Sequence, residues 1–187
     1  MRPGEKLQEL LALLALEQIE ENIFRAQHPA GRQGRLYGGQ IMAQALMAGG
    51  RTVSPELRAH SLHGYFLRPG DPRVPAVIRV ERARDGRSFA TRRILVTQRG
   101  EAIFNMDASF QIDEPGLAHS IAMPDLPPPD ESRLTKAMYD RPFLSLRQAP
   151  DDHTQRRENE PTQYIWLKTS GPVPADPLIH TCLLYTS

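Results

Sequence analysis

The chain has 187 residues, 40% of them hydrophobic, with 23 Lys and Arg against 22 Asp and Glu. That length suits one ordinary domain and part of another, and so even a charge balance argues against a nucleic-acid partner, which calls for a basic excess on one face. No run approaches the roughly 18 apolar residues of a membrane-spanning helix, no signal peptide is read at the N-terminus, and the single cysteine, Cys182, suits a reducing, cytoplasmic compartment.

In chain order, Glu5 to Leu16 reads as a helix, because Leu7, Leu10, Leu11 and Leu14 recur at spacings of three and four and share one face. Ile19 to Ala26 reads as a short strand. Tyr37-Gly-Gly-Gln40 introduces Ile41 to Ala48, a run apolar on most sides, as a buried helix requires, with Gly49-Gly50 as its stop. Four strands follow at His60–Leu67, Ala76–Arg82, Ser88–Gln98 and Ala102–Ile112, with turn signals at Asp85-Gly86 and Arg99-Gly100. In the last, Ala102, Phe104, Met106, Ala108, Phe110 and Ile112 alternate with mostly polar neighbours, which demands one buried face.

A strand, a buried helix and four antiparallel strands joined by tight turns predict an α+β hotdog fold. In it a curled antiparallel sheet wraps a central helix, the placement that buries both the helix and the inward strand residues. The first domain is expected over 1–115. Residues 116–159, with the stiff Met123–Asp130 stretch and the charged run Asp151–Glu160, read as a Pro-rich interdomain linker. Gln163–Lys168 reads as a new strand and Pro174–Leu184 as the approach to a new helix, so 160–187 is expected to open a second hotdog that the chain does not complete.

Five segments then carry a resemblance. Leu16-Glu-Gln-Ile-Glu-Glu-Asn-Ile-Phe-Arg25, Tyr37-Gly-Gly-Gln40, His60-Ser-Leu-His-Gly-Tyr-Phe-Leu-Arg-Pro-Gly-Asp71, Arg84-Asp-Gly-Arg-Ser-Phe89 and Ala108-Ser-Phe-Gln111 are similar, in the right order, to the first hotdog domain of the type II acyl-CoA thioesterases. The resemblance implies two hotdogs in one chain and hydrolysis of fatty acyl-CoA to free acid and CoA, with no metal or organic cofactor. It also implies water activation by an Asp, a Thr and a Gln of the second domain. Leu183-Leu-Tyr-Thr-Ser187 stands where that Asp should come next, so all three are expected beyond Ser187. The complete protein is then the enzyme and this chain inactive. The alternative is a non-catalytic acyl-CoA-binding or dimerising hotdog. The partners expected are acyl-CoA and a second copy joined through the sheets, with neither nucleic acid nor membrane.

The candidate substrate-binding residues each carry two readings. Gly38, Gly39 and Gln40 open the buried helix, where free N–H groups suit a developing oxyanion; a tight turn feeding a packed helix explains them equally. A histidine can act as a general base, but His63 has no Ser or Cys nucleophile with an orienting acid nearby in the sequence, so a pocket-lining or hydrogen-bonded histidine is the plainer reading. Arg68 suits a CoA phosphate, or else belongs to the turn Arg68-Pro-Gly-Asp71. Arg92 and Arg93 carry the same ambiguity; adjacent in a strand, they point to opposite faces, so one must find a partner or solvent. Asp107 reads as a solvated carboxylate, and no His/Cys cluster has metal-ligand spacing.

Overall fold

The computed structural model describes residues 3–28, 31, 33–122, 135–141, 144–148 and 165–185. It divides into two compact units, one of Glu9–Pro115 with Pro174–Ser187, the other of Met1–Gln8 with Gly116–Val173.

The larger unit begins in α1 (Pro3–Leu14), whose Leu10 and Leu14 are buried as the spacing predicts. The single strand expected at Ile19–Ala26 is instead a hairpin of β1 (Glu17–Glu20) and β2 (Ile23–Ala26), turning at Glu21-Asn22. The central helix α2 (Gly38–Gly50) follows, then β3 (Arg58–Phe66), β4 (Ala76–Asp85), β5 (Phe89–Gln98) and β6 (Glu101–Gln111). All six strands form one antiparallel sheet in the order β1-β2-β4-β5-β6-β3.

The helix α2 touches β2, β3, β4, β5 and β6, and Phe24, Ile78, Val80, Ile94, Val96, Phe104, Met106 and Phe110 form the buried side of the sheet with Ile41, Ala45, Leu46 and Ala48. This is the expected sheet around a helix, built on the alternation of β6. Arg99 (φ 50°) and Gly100 (φ 82°) are both left-handed between the paired residues Gln98 and Glu101. That is the two-residue turn whose twist matches antiparallel strands.

One expectation needs correction. The four strands are not all joined by tight turns: β3 pairs with β6, not β4, and Leu67–Pro75 carries the chain across to β4. Pairing of strands distant in sequence leaves no local signal. Gly49 and Gly50 are the last two residues of α2, as expected, and they also serve its packing. A Cβ on Gly49 would lie 2.8 Å from Ile94 Cδ1, and one on Gly50 2.5 Å from Leu178 Cδ1. The glycines allow close approach of β5 and of α3 (Pro177–Tyr185), which packs on α2, and this contact outweighs a helix-propensity cost of about 1 kcal/mol each.

In the other unit, β7 (Thr135–Arg141), β8 (Leu144–Gln148) and β9 (Ile165–Thr169) form a three-stranded antiparallel sheet. Two of these strands fall within 116–159, so that stretch is not all linker. They are short, and the pairing of β8 with Ile165–Thr169 is non-local, which periodicity does not report. Met123–Asp130, Asp151–Glu160 and the first two residues of the expected strand at 163–168 lie outside the described residues.

Candidate functional site

Tyr37 precedes α2 in extended geometry and makes no side-chain cap. The first N–H groups of a helix have no acceptor within the helix, so the turn at Gly38-Gly39 presents polar donors beside whatever packs there. A Cβ on Gly38 would sit 2.9 Å from Phe66 Cζ, so glycine lets the Phe66 ring lie against the helix start. That ring stacks at 37° on Phe104, with centroids 4.7 Å apart. Beside it opens a groove of ≈ 360 Å³, walled by Leu36, Ile41, Phe66, Leu67 and Ile103 together with Gly38, Arg35 and Arg68.

The loop between β3 and β4 forms one wall and is held from beneath. Leu67 N–H donates to Ile103 O at 2.9 Å, and Leu36 N–H to Gly70 O at 2.9 Å. Buried Gln98 accepts from Asp71 N–H at 2.8 Å and donates to Asp71 O at 2.9 Å and to Val74 O. Arg68 donates through Nη1 to Ala102 O at 2.8 Å, and its Nε stands 3.6 Å from Glu101.

Asp71 anchors the same loop. Arg73 donates from its side chain (Nε and Nη2, both 2.9 Å) and its backbone N–H (2.9 Å), with Arg99 at 3.5 Å. The Arg73 side-chain bonds, then its backbone bond, hold the Asp71 carboxyl at about 2, below the ordinary 3.8. A carboxyl depressed by folding adds stability that is complete above its unfolded pKa and lost as the pH falls through the folded one. The stability gap between wild type and Asp71→Asn is therefore expected to be flat above about pH 5 and to close as the pH falls from about 4 to 2. Urea titrations across that range check it; a gap unchanged at the acid end contradicts it.

The structure thus brings Gly38 and Arg68 to one groove but not the other candidates. Gln40, two residues along the helix, is turned into the core, 5% exposed, and donates through Nε2 to His28 Nδ1 at 3.1 Å. Gly39 does not line the groove. His63 is exposed on the other face of the sheet, its ring edge-on to Tyr65 at 4.7 Å and paired in register with Asp107. Its neighbour His60, not His63, meets a serine: Nε2 lies 2.9 Å from Ser109 Oγ across the strand pair. No carboxylate orients that ring in the described contacts, so it is a cross-strand hydrogen bond rather than a triad. Asp107 is exposed and pairs with Arg93 at 3.3 Å.

Sequence reasoning missed His28, Gln44 and Gln98. Burial of His28 lowers its pKa and keeps the ring neutral. With Nδ1 accepting from Gln40, the proton stays on Nε2. Gln44 Nε2 donates to Leu13 O at 2.9 Å and Gln27 O at 3.2 Å, tying α1 and the end of β2 to α2. The position of Gln44 on an otherwise apolar helix was the available signal, since buried amides are retained where backbone groups need partners. Among the described residues, no group of three or more His, Cys, Asp or Glu could hold a metal ion, and no carboxylate or imidazole lines the groove.

The family model for the acyl-CoA thioesterase N-terminal domain matches residues 26–111. The chain is 34% identical to acyl-coenzyme A thioesterase 8 of Homo sapiens over 97% of its own length and 65% of the relative's, and 34% identical to acyl-CoA thioesterase 2 of Haemophilus influenzae over 95% and 68%. An acyl-CoA thioesterase II structure from Mycobacterium marinum superposes with a TM-score of 0.80 at 40% identity, covering 95% of this chain and 65% of that one. The chain therefore spans just under two thirds of the length of the human relative, as it does of the mouse one, at 62%. A hotdog protein of Alicyclobacillus acidocaldarius, 24% identical with a TM-score of 0.73, shares the fold. With the sheet wrapped on α2 and this likeness running almost end to end, the chain belongs to the type II acyl-CoA thioesterase family.

Proposed function

We propose that the complete protein hydrolyses fatty acyl-CoA to free fatty acid and CoA, in the cytoplasm and as part of fatty acid metabolism. The observation that carries this reading is 40% identity over 95% of the chain to the Mycobacterium marinum acyl-CoA thioesterase II. Hydrolysis places negative charge on the thioester oxygen as water adds, and N–H donors fixed at a helix start stabilise such charge without reorganising. The Gly38-Gly39 start of α2 is one such donor set, supported by its open groove, with Arg68 as a partner for an anionic group of the substrate. Gln40 acts by fixing His28 and the helix start, and His63 meets substrate only if the acyl-CoA extends over the outer face of the sheet.

Water activation is assigned to an Asp, a Thr and a Gln of a second hotdog, outside these 187 residues, and two hotdogs placed sheet beside sheet would leave the complete protein free to self-associate. A thiol-trapping assay on the complete protein, with acyl-CoAs of several chain lengths, is expected to show CoA release. Silence across all lengths removes the thioesterase reading. The location is supported by the lone cysteine and by the finding that no described helix is long and apolar enough to cross a membrane.

A further inference from the structure

We propose that Phe66 is a specificity-determining residue, whose ring sets which acyl-chain lengths the site at the start of α2 accepts. The inference rests on the thioesterase reading and adds to it a residue that controls the choice among substrates. Among the described residues lining the groove, Phe66 is the only aromatic. The three ring atoms nearest Gly38 are Cζ, Cε1 and Cε2, at 2.9, 3.3 and 3.5 Å from the position a Cβ there would take. The tip of the ring therefore points at the helix start. A chain whose thioester oxygen sits at the Gly38-Gly39 N–H groups must pass that ring.

The ring is a fixed wall rather than a lid. Phe66 stands opposite Phe104 in the register of β3 and β6. The two residues that follow it, Leu67 and Arg68, both donate their N–H groups to Ile103 O, at 2.9 and 3.3 Å. On one side the ring stacks on Phe104, with centroids 4.7 Å apart, and its tip meets the Gly38 backbone. Phe66 nevertheless stays 54% exposed, so it still presents a surface to the groove. Behind it Phe104 is fully buried. Removing the Phe66 ring opens the groove toward Phe104 and deepens it. Pushing the ring outward makes the groove shallower. Gly38 controls that second change, because the Cβ of an alanine would crowd Cζ, and the far end of a side chain yields before the backbone does. Fit in an apolar site discriminates by about 10- to 200-fold for one methylene, so a displaced ring changes which chain is preferred.

The test is CoA release by the complete protein from octanoyl-, dodecanoyl- and hexadecanoyl-CoA. Phe66→Ala is expected to raise the ratio of kcat/KM for hexadecanoyl-CoA over octanoyl-CoA by about fivefold or more, and Gly38→Ala to lower it by about threefold or more. The ratio compares two substrates on one enzyme, so a smaller folded or active fraction cancels. Both substitutions act through one ring, so their effects are expected not to add: with Phe66 already alanine, Gly38→Ala leaves the ratio within about twofold. Phe66→Leu is expected to move the ratio in the same direction as Phe66→Ala but by less, and it stands in should the alanine variant fail to fold. A ratio that stays level or falls in both Phe66 variants overturns the inference, as does a Gly38→Ala effect that persists without the ring. Wild-type silence at every chain length removes the thioesterase reading and this inference with it, whereas turnover with an unmoved ratio removes only the role of Phe66.

Discussion

Arg92→Ala is expected to destabilise the unit built on Glu9–Pro115 by about 3–5 kcal/mol, through unsatisfied backbone acceptors and a cavity. The Arg92 side chain lies in β5 on the helix side of the sheet and is 1% exposed. Its Nε donates to Thr52 Oγ1 at 2.8 Å, one Nη to Thr52 O at 2.9 Å and to Asp85, and the other to Arg84 O at 2.9 Å and Thr91 O at 3.0 Å. One guanidinium thereby ties the turn after α2 to the β4–β5 hairpin. Asp85 is 57% exposed, so water recovers its charge after truncation, and the larger loss falls on the Thr52 and Arg84 carbonyls. Arg92→Lys is expected to restore little, because a single ammonium cannot serve acceptors spread around a planar fork. Urea unfolding followed by far-UV circular dichroism measures the effect. The one tryptophan, Trp166, belongs to the other unit, so its fluorescence would report the wrong transition. A loss below about 1 kcal/mol would mean that the network adds only what an exposed pair does.

Phe104→Ala is expected to cost a similar amount, about 3–5 kcal/mol, for a different reason. The ring is fully buried in β6, between Phe66 of β3 and Val96 of β5 in the register of the sheet. Truncation loses the transfer free energy of the ring and leaves a cavity that paired strands on both sides cannot collapse. Gly64 shows how tightly this site is built, since a Cβ there would lie 2.7 Å from Phe104 Cζ and 2.8 Å from Asn105 O. The same truncation removes the support of Phe66, which packs on Phe104 and over Gly38. Phe104→Leu, which keeps much of the volume, is expected to cost under about 2 kcal/mol. Equal costs for the two variants would contradict the cavity account.

These two residues also mark what a sequence displays and what it withholds. Phe104 is legible because its strand is isolated by turns and alternates over six apolar positions, a pattern that only a half-buried strand requires. Arg92 is not: a charge in a strand normally faces water, and the acceptors that reverse this, Thr52 and Arg84, are set by how α2 and the hairpin pack. The same limit hid the β3–β6 and β8–β9 pairings, which depend on partners distant in the chain. Gly49-Gly50 is legible as the end of the helix, but glycine also admits close packing, and only the neighbours Ile94 and Leu178 reveal that second role. At the candidate site, the motif Tyr37–Gln40 marked the helix start, and Arg68 was reached because it ends the strand beside it. Separating Gly38 from Gln40 needed the rotation of the helix, and removing His63 from the groove needed the sheet face on which it stands.

On the function proposed above, this chain is the first hotdog of an acyl-CoA thioesterase whose water-activating groups lie in a second one. A side-by-side assay of CoA release by the complete protein and by the 187-residue chain, at equal molar concentration with dodecanoyl-CoA, tests it most directly. Turnover by the complete protein and none by the chain is the predicted result. Turnover by the chain alone would contradict the placement of the chemistry, and silence from both would contradict the activity itself.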